Sequence, residues 1–144
     1  MKYVRNSPFT LIEMMVVVAL LFVLVIIALP NYLGARANAV NIRFTNDVRT
    51  ATPAFQLHNS QTCGWAPEAA AGVIPSGMET YLKNFRWDEE TVLGGAWDWE
   101  SNSGGVKAAV AVADLDSSAG RMAQIDQILD DGDVSTGAFR VHGS

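Results

Sequence analysis

A chain of 144 residues with a formal net charge of −5 has room for one membrane segment and one small domain, and little room for two domains. The charge is unevenly spread. Lys2, Arg5, Arg36, Arg43 and Arg49 face only Glu13 and Asp47 in the first 50 residues, whereas the remainder sets five basic side chains against thirteen acidic ones. An acidic remainder argues against nucleic-acid binding by bulk electrostatics, which needs cations facing phosphate, and the single Cys63 cannot close a disulfide within the chain.

Residues 1–8 carry Lys2 and Arg5 ahead of an apolar run from Phe9 to Leu29, FTLIEMMVVVALLFVLVIIAL. As a helix that run would be about 31 Å long, at about 1.5 Å per residue, which matches the hydrocarbon thickness of a bilayer. It is longer than the apolar core of a secretory signal peptide, and Pro30-Asn31-Tyr32 stands where such a peptide has a small-residue cut site. The flanking Lys2 and Arg5 keep the N-terminus cytoplasmic and send the rest of the chain across the membrane. Glu13 is the one charge inside the run. A carboxylate is costly in hydrocarbon, so its presence predicts a partner, the alternative being that it snorkels to the interface from a single-pass anchor.

Beyond Pro30 the apolar positions Leu33, Ala37, Val40, Phe44, Val48, Ala51 and Phe55 recur at steps of three and four, the stripe of an amphipathic helix. One long helix from about Phe9 to about His58 is therefore expected, apolar all round over 9–30 and striped over 31–58, with bends or local breaks near Pro30 and Pro53 and a soft turn at Gly34. Residues 59–144 then form the head. Gly and Pro punctuate Asn59–Gly95, which predicts connecting loops with a short turn at Met78–Leu82. The period-two segment Ala96-Trp97-Asp98-Trp99-Glu100 predicts a strand with both indoles on one face, and after a turn at Ser101–Gly105 the segment Val106–Leu115 predicts a second. Asp116 or Ser117 is placed to cap a short helix striped by Met122, Ile125, Ile128 and Leu129 and ended by Gly132. Ala138-Phe139-Arg140-Val141 is expected as a third strand. The fold class is thus α+β: a long N-terminal membrane-spanning helix packed on a small antiparallel sheet, because three strands need the striped half of the helix as cover.

The short basic leader, Phe9-Thr10-Leu11-Ile12-Glu13, the apolar helix and Ala28-Leu29-Pro30-Asn31-Tyr32 together resemble the type IV pilin and type II secretion pseudopilin superfamily over about the first 35 residues. The resemblance implies that a prepilin peptidase cuts before Phe9 and methylates the new amine. It also implies that subunits leave the bilayer through a membrane assembly machinery, alone or with other pilins or pseudopilins, to form a helical filament with their long helices in its core. Where the family has glycine before the cut, this chain has Pro8, whose fixed φ and missing donor differ from the extended glycine such a groove receives. Three outcomes stay open: a peptidase that accepts Pro8, a retained leader, or an unusual maturation. A cut before Phe9 would create an α-amine that is cationic at neutral pH, and a neighbouring subunit could set it on Glu13 as a registry contact. The resemblance further implies loss of helical structure just beyond Pro30 as subunits pack. The absence of a possible disulfide tilts the comparison toward pseudopilins.

Candidate chemistry elsewhere is sparse. Asp126 and Asp130 share a helix face, and Asp131-Gly132-Asp133 can bring further oxygens around a turn, a set suited to calcium; a solvated helix end with Asx turns is the other reading. Trp65, Trp87, Trp97 and Trp99 read as core rather than as a stacking surface. His58 and His142 have no metal or triad spacing, no Gly-rich phosphate loop appears, and nothing argues for an enzyme. Two functions are carried forward: an inner-membrane subunit of a helical filament with its head periplasmic or extracellular, and a monomeric single-pass anchored binding domain that depends on calcium.

Overall fold

The computed structural model describes residues 9–102 and 105–141. The leader with Pro8 and the centre of the expected turn, at 103–104, lie outside the described residues, as does His142. Four elements follow in order: α1 (Leu11–Thr62), β1 (Ala96–Ser101), β2 (Ala108–Ala113) and α2 (Ala119–Leu129). The fold class is α+β. Contacts divide the chain into two compact units, residues 1–38 and 39–144, with α1 contributing to both.

The first unit is helical surface. From Phe9 to Leu33 every large apolar side chain is between 45% and 79% exposed. The assignment of α1 is unbroken at Pro30, Gly34 and Pro53, and it extends four residues past the expected end at His58. Pro30 removes one backbone donor from its turn, and next to it Asn31 Nδ2 donates to the Ile27 carbonyl at 3.2 Å, adding a bond to the adjacent turn.

In the second unit the striped part of α1 is buried where the steps of three and four predict, at Phe44, Ala51 and Phe55, with Val40 and Val48 half-buried. Leu33 is exposed, so the seating begins later than the stripe suggested. β1 and β2 pair antiparallel with Trp97 opposite Val112 and Trp99 opposite Val110. Period two puts both indoles on one face, and there they meet α1. The rings run in series: Phe44 to Trp97 at 5.8 Å, Trp97 to Trp87 at 6.0 Å, Trp87 to Phe55 at 5.3 Å and Phe55 to Trp99 at 3.9 Å. Trp87, on the connecting segment, bridges rings that helix and strand spacing would leave apart. The two buried indole N–H groups, of Trp87 and Trp99, donate to the carbonyls of Val73 and Ala66, which ties the irregular segment over the core. Trp65 departs from the expected core role: it is 38% exposed and only tilts against Trp99.

The expected turn at Met78–Leu82 forms, with Tyr81 and Leu82 N–H groups donating to the Met78 carbonyl, and both Met78 and Leu82 are buried. Gly95 enters β1 at φ +78, and a Cβ there would collide with the Ala113 carbonyl oxygen, so only glycine lets the two strands close at this end.

Three expectations are corrected. No third strand forms at Ala138–Val141: the sheet has two strands, and the Val141 N–H bonds back to the Val134 carbonyl at 2.9 Å, closing this segment on itself rather than on the sheet. The free side of β1 instead takes single bridges from Ala69 and Glu90. α2 starts after Ser118 rather than Asp116 or Ser117, with no side-chain cap bond. The stripe of α2 is also rotated: Met122 and Ile125 are buried as expected, but Ile128 is 40% exposed and Asp126 is fully buried in its stead. Polar anchors to α1 hold this rotation, since Asn41 Nδ2 donates to Gln124 Oε1 at 3.2 Å and Arg49 Nη2 to the Ile128 carbonyl at 2.9 Å.

On the other face of β1, Asp98 accepts the Trp99 N–H at 2.9 Å. Partial burial nevertheless pushes its carboxyl above the usual aspartate range, with Glu100 adding to the rise. A raised carboxyl is destabilising once ionised, so Asp98→Asn, which keeps the acceptor oxygen, is expected to be the more stable at pH 7, by less than about 1 kcal/mol because the group is partly solvated. The gap should close as pH falls through the raised value toward the ordinary aspartate range, as read from urea midpoints of both proteins at several pH values.

Candidate functional site

Two places in the chain concentrate ionisable groups in unusual settings, one in each unit. In the first unit Glu13 stands near the N-terminus of α1. Thr10 precedes the helix, and its backbone N–H donates to Glu13 Oε2 at 2.8 Å, its hydroxyl to the same oxygen at 2.9 Å. The Glu13 N–H in turn donates to Thr10 Oγ1 at 3.3 Å. This is a capping box, Thr-x-x-Glu, in which each residue satisfies a helix-end donor of the other. It ties down one carboxylate oxygen and leaves Oε1 with no hydrogen bond among the described residues. The bonds hold the carboxylate against the first turn of α1, and Phe9, one residue before Thr10, is 79% exposed. Thr10 was missed as a functional residue in the sequence, although the Thr10-x-x-Glu13 spacing ahead of an apolar run is itself the signature.

Fifteen of the twenty-one positions from Phe9 to Leu29 are Leu, Ile, Val or Phe. At about 0.3–0.6 kcal/mol each, they favour insertion by about 5–9 kcal/mol, more than one carboxylate near a helix end opposes on the same scale. The segment is long and apolar enough to cross a membrane with Glu13 included.

In the second unit the carboxylates at the end of α2 converge. One oxygen each of Asp126, Asp130 and Asp131 lies within 4.8 Å of the others. Asp126 is fully buried and neither of its oxygens has a hydrogen-bond partner. Burial pushes its carboxyl above the usual range, and the charges of Asp131 and Asp130 add to the rise; the Gly132 N–H opposes it without closing a hydrogen bond. The expected fourth member stands apart: Asp133 Oδ1 accepts the Ser135 hydroxyl at 2.6 Å and its N–H at 3.0 Å, which hold that carboxyl below the usual range. An Asx turn therefore describes Asp133 well and Asp126 not at all.

A cleft of about 310 Å³ in the second unit is lined by Arg43, Asp47, Arg86, Glu89, Glu90 and Trp97 among others. Arg86 and Glu89 already pair across 3.1 Å at the surface, and the lining has no Ser, Cys or His. His58 is buried edge-on to Tyr81 at 5.4 Å, with Thr62 Oγ1 3.4 Å from Nδ1, which makes it a packing residue. Cys63 is exposed and free. Comparison of the chain with protein-family models, with curated proteins and with solved structures gives no match.

Proposed function

We propose that this chain is a structural subunit of a helical filament assembled from a membrane, of the type IV pilin or type II secretion pseudopilin kind that its first 35 residues resemble. The observation that carries the reading is the first unit of the chain: a helix apolar on every side, exposed along its whole length, with a single carboxylate at its front. Such a surface is stable in lipid as an isolated span, and stable outside lipid only against other apolar surfaces, for which identical helices are the simplest source. Glu13 distinguishes these settings. In a bundle of like helices its unused oxygen would meet the α-amine of a neighbouring Phe9, relieving a charge already taken out of water and fixing the axial register. Pro30 and Gly34, just past the apolar core, are where the helix would yield as subunits pack.

The competing reading is a monomeric single-pass anchor that presents the acidic head as a binding domain, with Glu13 wetted at the lipid surface. Intact mass and electron microscopy of protein recovered from its native membrane separate them. The filament reading expects a chain beginning at Phe9, carrying one added methyl, that forms regular filaments on release from detergent. Full-length, unmethylated protein that stays monomeric would overturn it.

A further inference from the structure

We propose that the free edge of β2 is a docking site for an extended segment of another protein, one in which apolar residues alternate with lysine or arginine. The parity of hydrogen bonding fixes which backbone groups this edge offers. On the side of β1 away from β2, the Gly72 N–H donates to the Trp97 carbonyl at 2.7 Å and the Thr91 N–H to the Gly95 carbonyl at 2.9 Å. Between the strands, the Asn102 N–H donates to the Lys107 carbonyl at 3.0 Å, continuing the register that sets Asp98 against Ala111 and Glu100 against Ala109. Alternate residues of a strand bond to opposite sides. Ala109, Ala111 and Ala113 therefore bond to β1, while the N–H and C=O groups of Ala108, Val110 and Val112 turn outward. None of those outward groups has a hydrogen-bond partner among the described residues. Neither α2 nor the part of α1 in this unit brings a Cα within 8 Å of one in β2, and a paired strand needs about 5 Å.

Natural edge strands are blunted by proline, charge or a bulge, and β2 is Ala-Ala-Val-Ala-Val-Ala in unbroken register, with none of these inside it. The other edge of the sheet takes the bridges from Ala69 and Glu90, so β2 is the side left open. The two faces beside the open edge set the partner's pattern. On the indole face Ala108, Val110 and Val112 pack against the core, and a further strand extends that face with apolar side chains. On the opposite face Asp98 and Glu100 of β1 stand across from Ala111 and Ala109, whose short side chains leave a shallow path to the edge. No cation meets these two carboxylates among the described residues: Asp98 accepts the Trp99 N–H, and Glu100 Oε2 is shut from water with no hydrogen-bond partner. The charge of Glu100 adds to the rise of the Asp98 carboxyl, so a cation between them relieves both. An added strand lies about 10 Å from β1, a gap that a lysine or arginine stem laid over alanine crosses to a carboxylate. Backbone pairing thus supplies affinity, and the two carboxylates supply the preference for basic residues, as in strand addition generally.

Titration of the full chain in detergent micelles with a short blocked peptide of alternating valine and arginine tests the site, read by calorimetry and by amide exchange in β2. Binding at least about tenfold tighter than that of the matching valine and glutamate peptide is expected. Exchange should slow at Ala108, Val110 and Val112 and stay unchanged at Ala109, Ala111 and Ala113, which already bond to β1. The fully N-methylated arginine peptide keeps every side chain but donates nothing to the edge, so it should bind at least about tenfold more weakly. Asp98→Asn combined with Glu100→Gln should weaken the arginine peptide by at least about tenfold. Ala111→Lys, which lays the chain's own ammonium opposite Asp98, should do the same and keeps the test valid if the double variant fails to fold. Equal binding of the arginine and glutamate peptides, indifference to N-methylation, or no binding at all would overturn the proposal. Exchange at the three outward amides that slows with protein concentration alone would assign the edge to a second copy and overturn the choice of partner. These readouts concern the head, so their failure leaves the filament reading standing.

Discussion

On the proposed filament reading, Glu13→Gln is expected to insert in the membrane like the wild type and to lose filament assembly by at least about a hundredfold, since removing one partner of the proposed desolvated ion pair would strand the other charge. The substitution isolates charge from capping. Glutamine at the third helical position still accepts the Thr10 N–H and hydroxyl, the bonds that Glu13 Oε2 makes at 2.8 and 2.9 Å, so the start of α1 stays closed. Thr10→Ala does the converse: it removes the hydroxyl contacts and keeps the carboxylate, at a cost of about 0.5–2 kcal/mol in helix-end stability, and assembly should fall by no more than about tenfold. The measurements are filament yield by electron microscopy and membrane partition by carbonate extraction. If Gln assembles normally while Thr10→Ala does not, the carboxylate is a helix cap and nothing more, and the proposed register contact is wrong.

Phe55→Ala is expected to destabilise the head by about 3–5 kcal/mol and to lower its melting temperature by at least about 15 °C. Phe55 is buried and links Trp87 to Trp99 in the ring series, stacked on Trp99 at 3.9 Å and tilted against Trp87 at 5.3 Å. Its removal opens a cavity between a helix and a two-stranded sheet, and neither can collapse into it without breaking the indole hydrogen bonds to Val73 and Ala66. A two-stranded sheet is marginal by itself, so α1 supplies its main cover. Phe55→Leu should recover more than half of the loss. Near-ultraviolet dichroism of the full chain in detergent, which reports the packing of the indoles, follows the transition; a shift under about 5 °C for Phe55→Ala would show that the rings do not form the head's main core.

Sequence patterns were most informative where a single periodicity governs. The apolar run is long enough to settle its helix locally, and the stripe through Phe44, Ala51 and Phe55 and the alternation of Trp97 and Trp99 each settle one face of their element; the structure buries the stripe and the two indoles and leaves the apolar run exposed. Thr10 is equally legible, since its spacing to Glu13 is a four-residue rule that the cap bonds satisfy. The C-terminal segment was not legible. Ala138–Val141 is too short for its alternation to distinguish a strand from a loop, and it bonds to Val134 because the turns over 130–137 return it there.

α2 shows the same limit most sharply. Its sequence offers Ile128 for the core and Asp126 for water, and the structure exchanges them, because Asn41 with Gln124 and Arg49 with the Ile128 carbonyl set the rotation of a helix only eleven residues long. The chain's own letters determined the membrane-length helix, the amphipathic continuation and the pair of indole-bearing positions, since each follows from residue spacing over several turns or pleats. Only the tertiary structure decided that Trp87 would join them, that a carboxylate would lie buried and unpartnered beside two others, and that Asp133 would not belong with them. Those outcomes depend on contacts between residues far apart in the chain, whose energies exceed the weak local preferences of short elements.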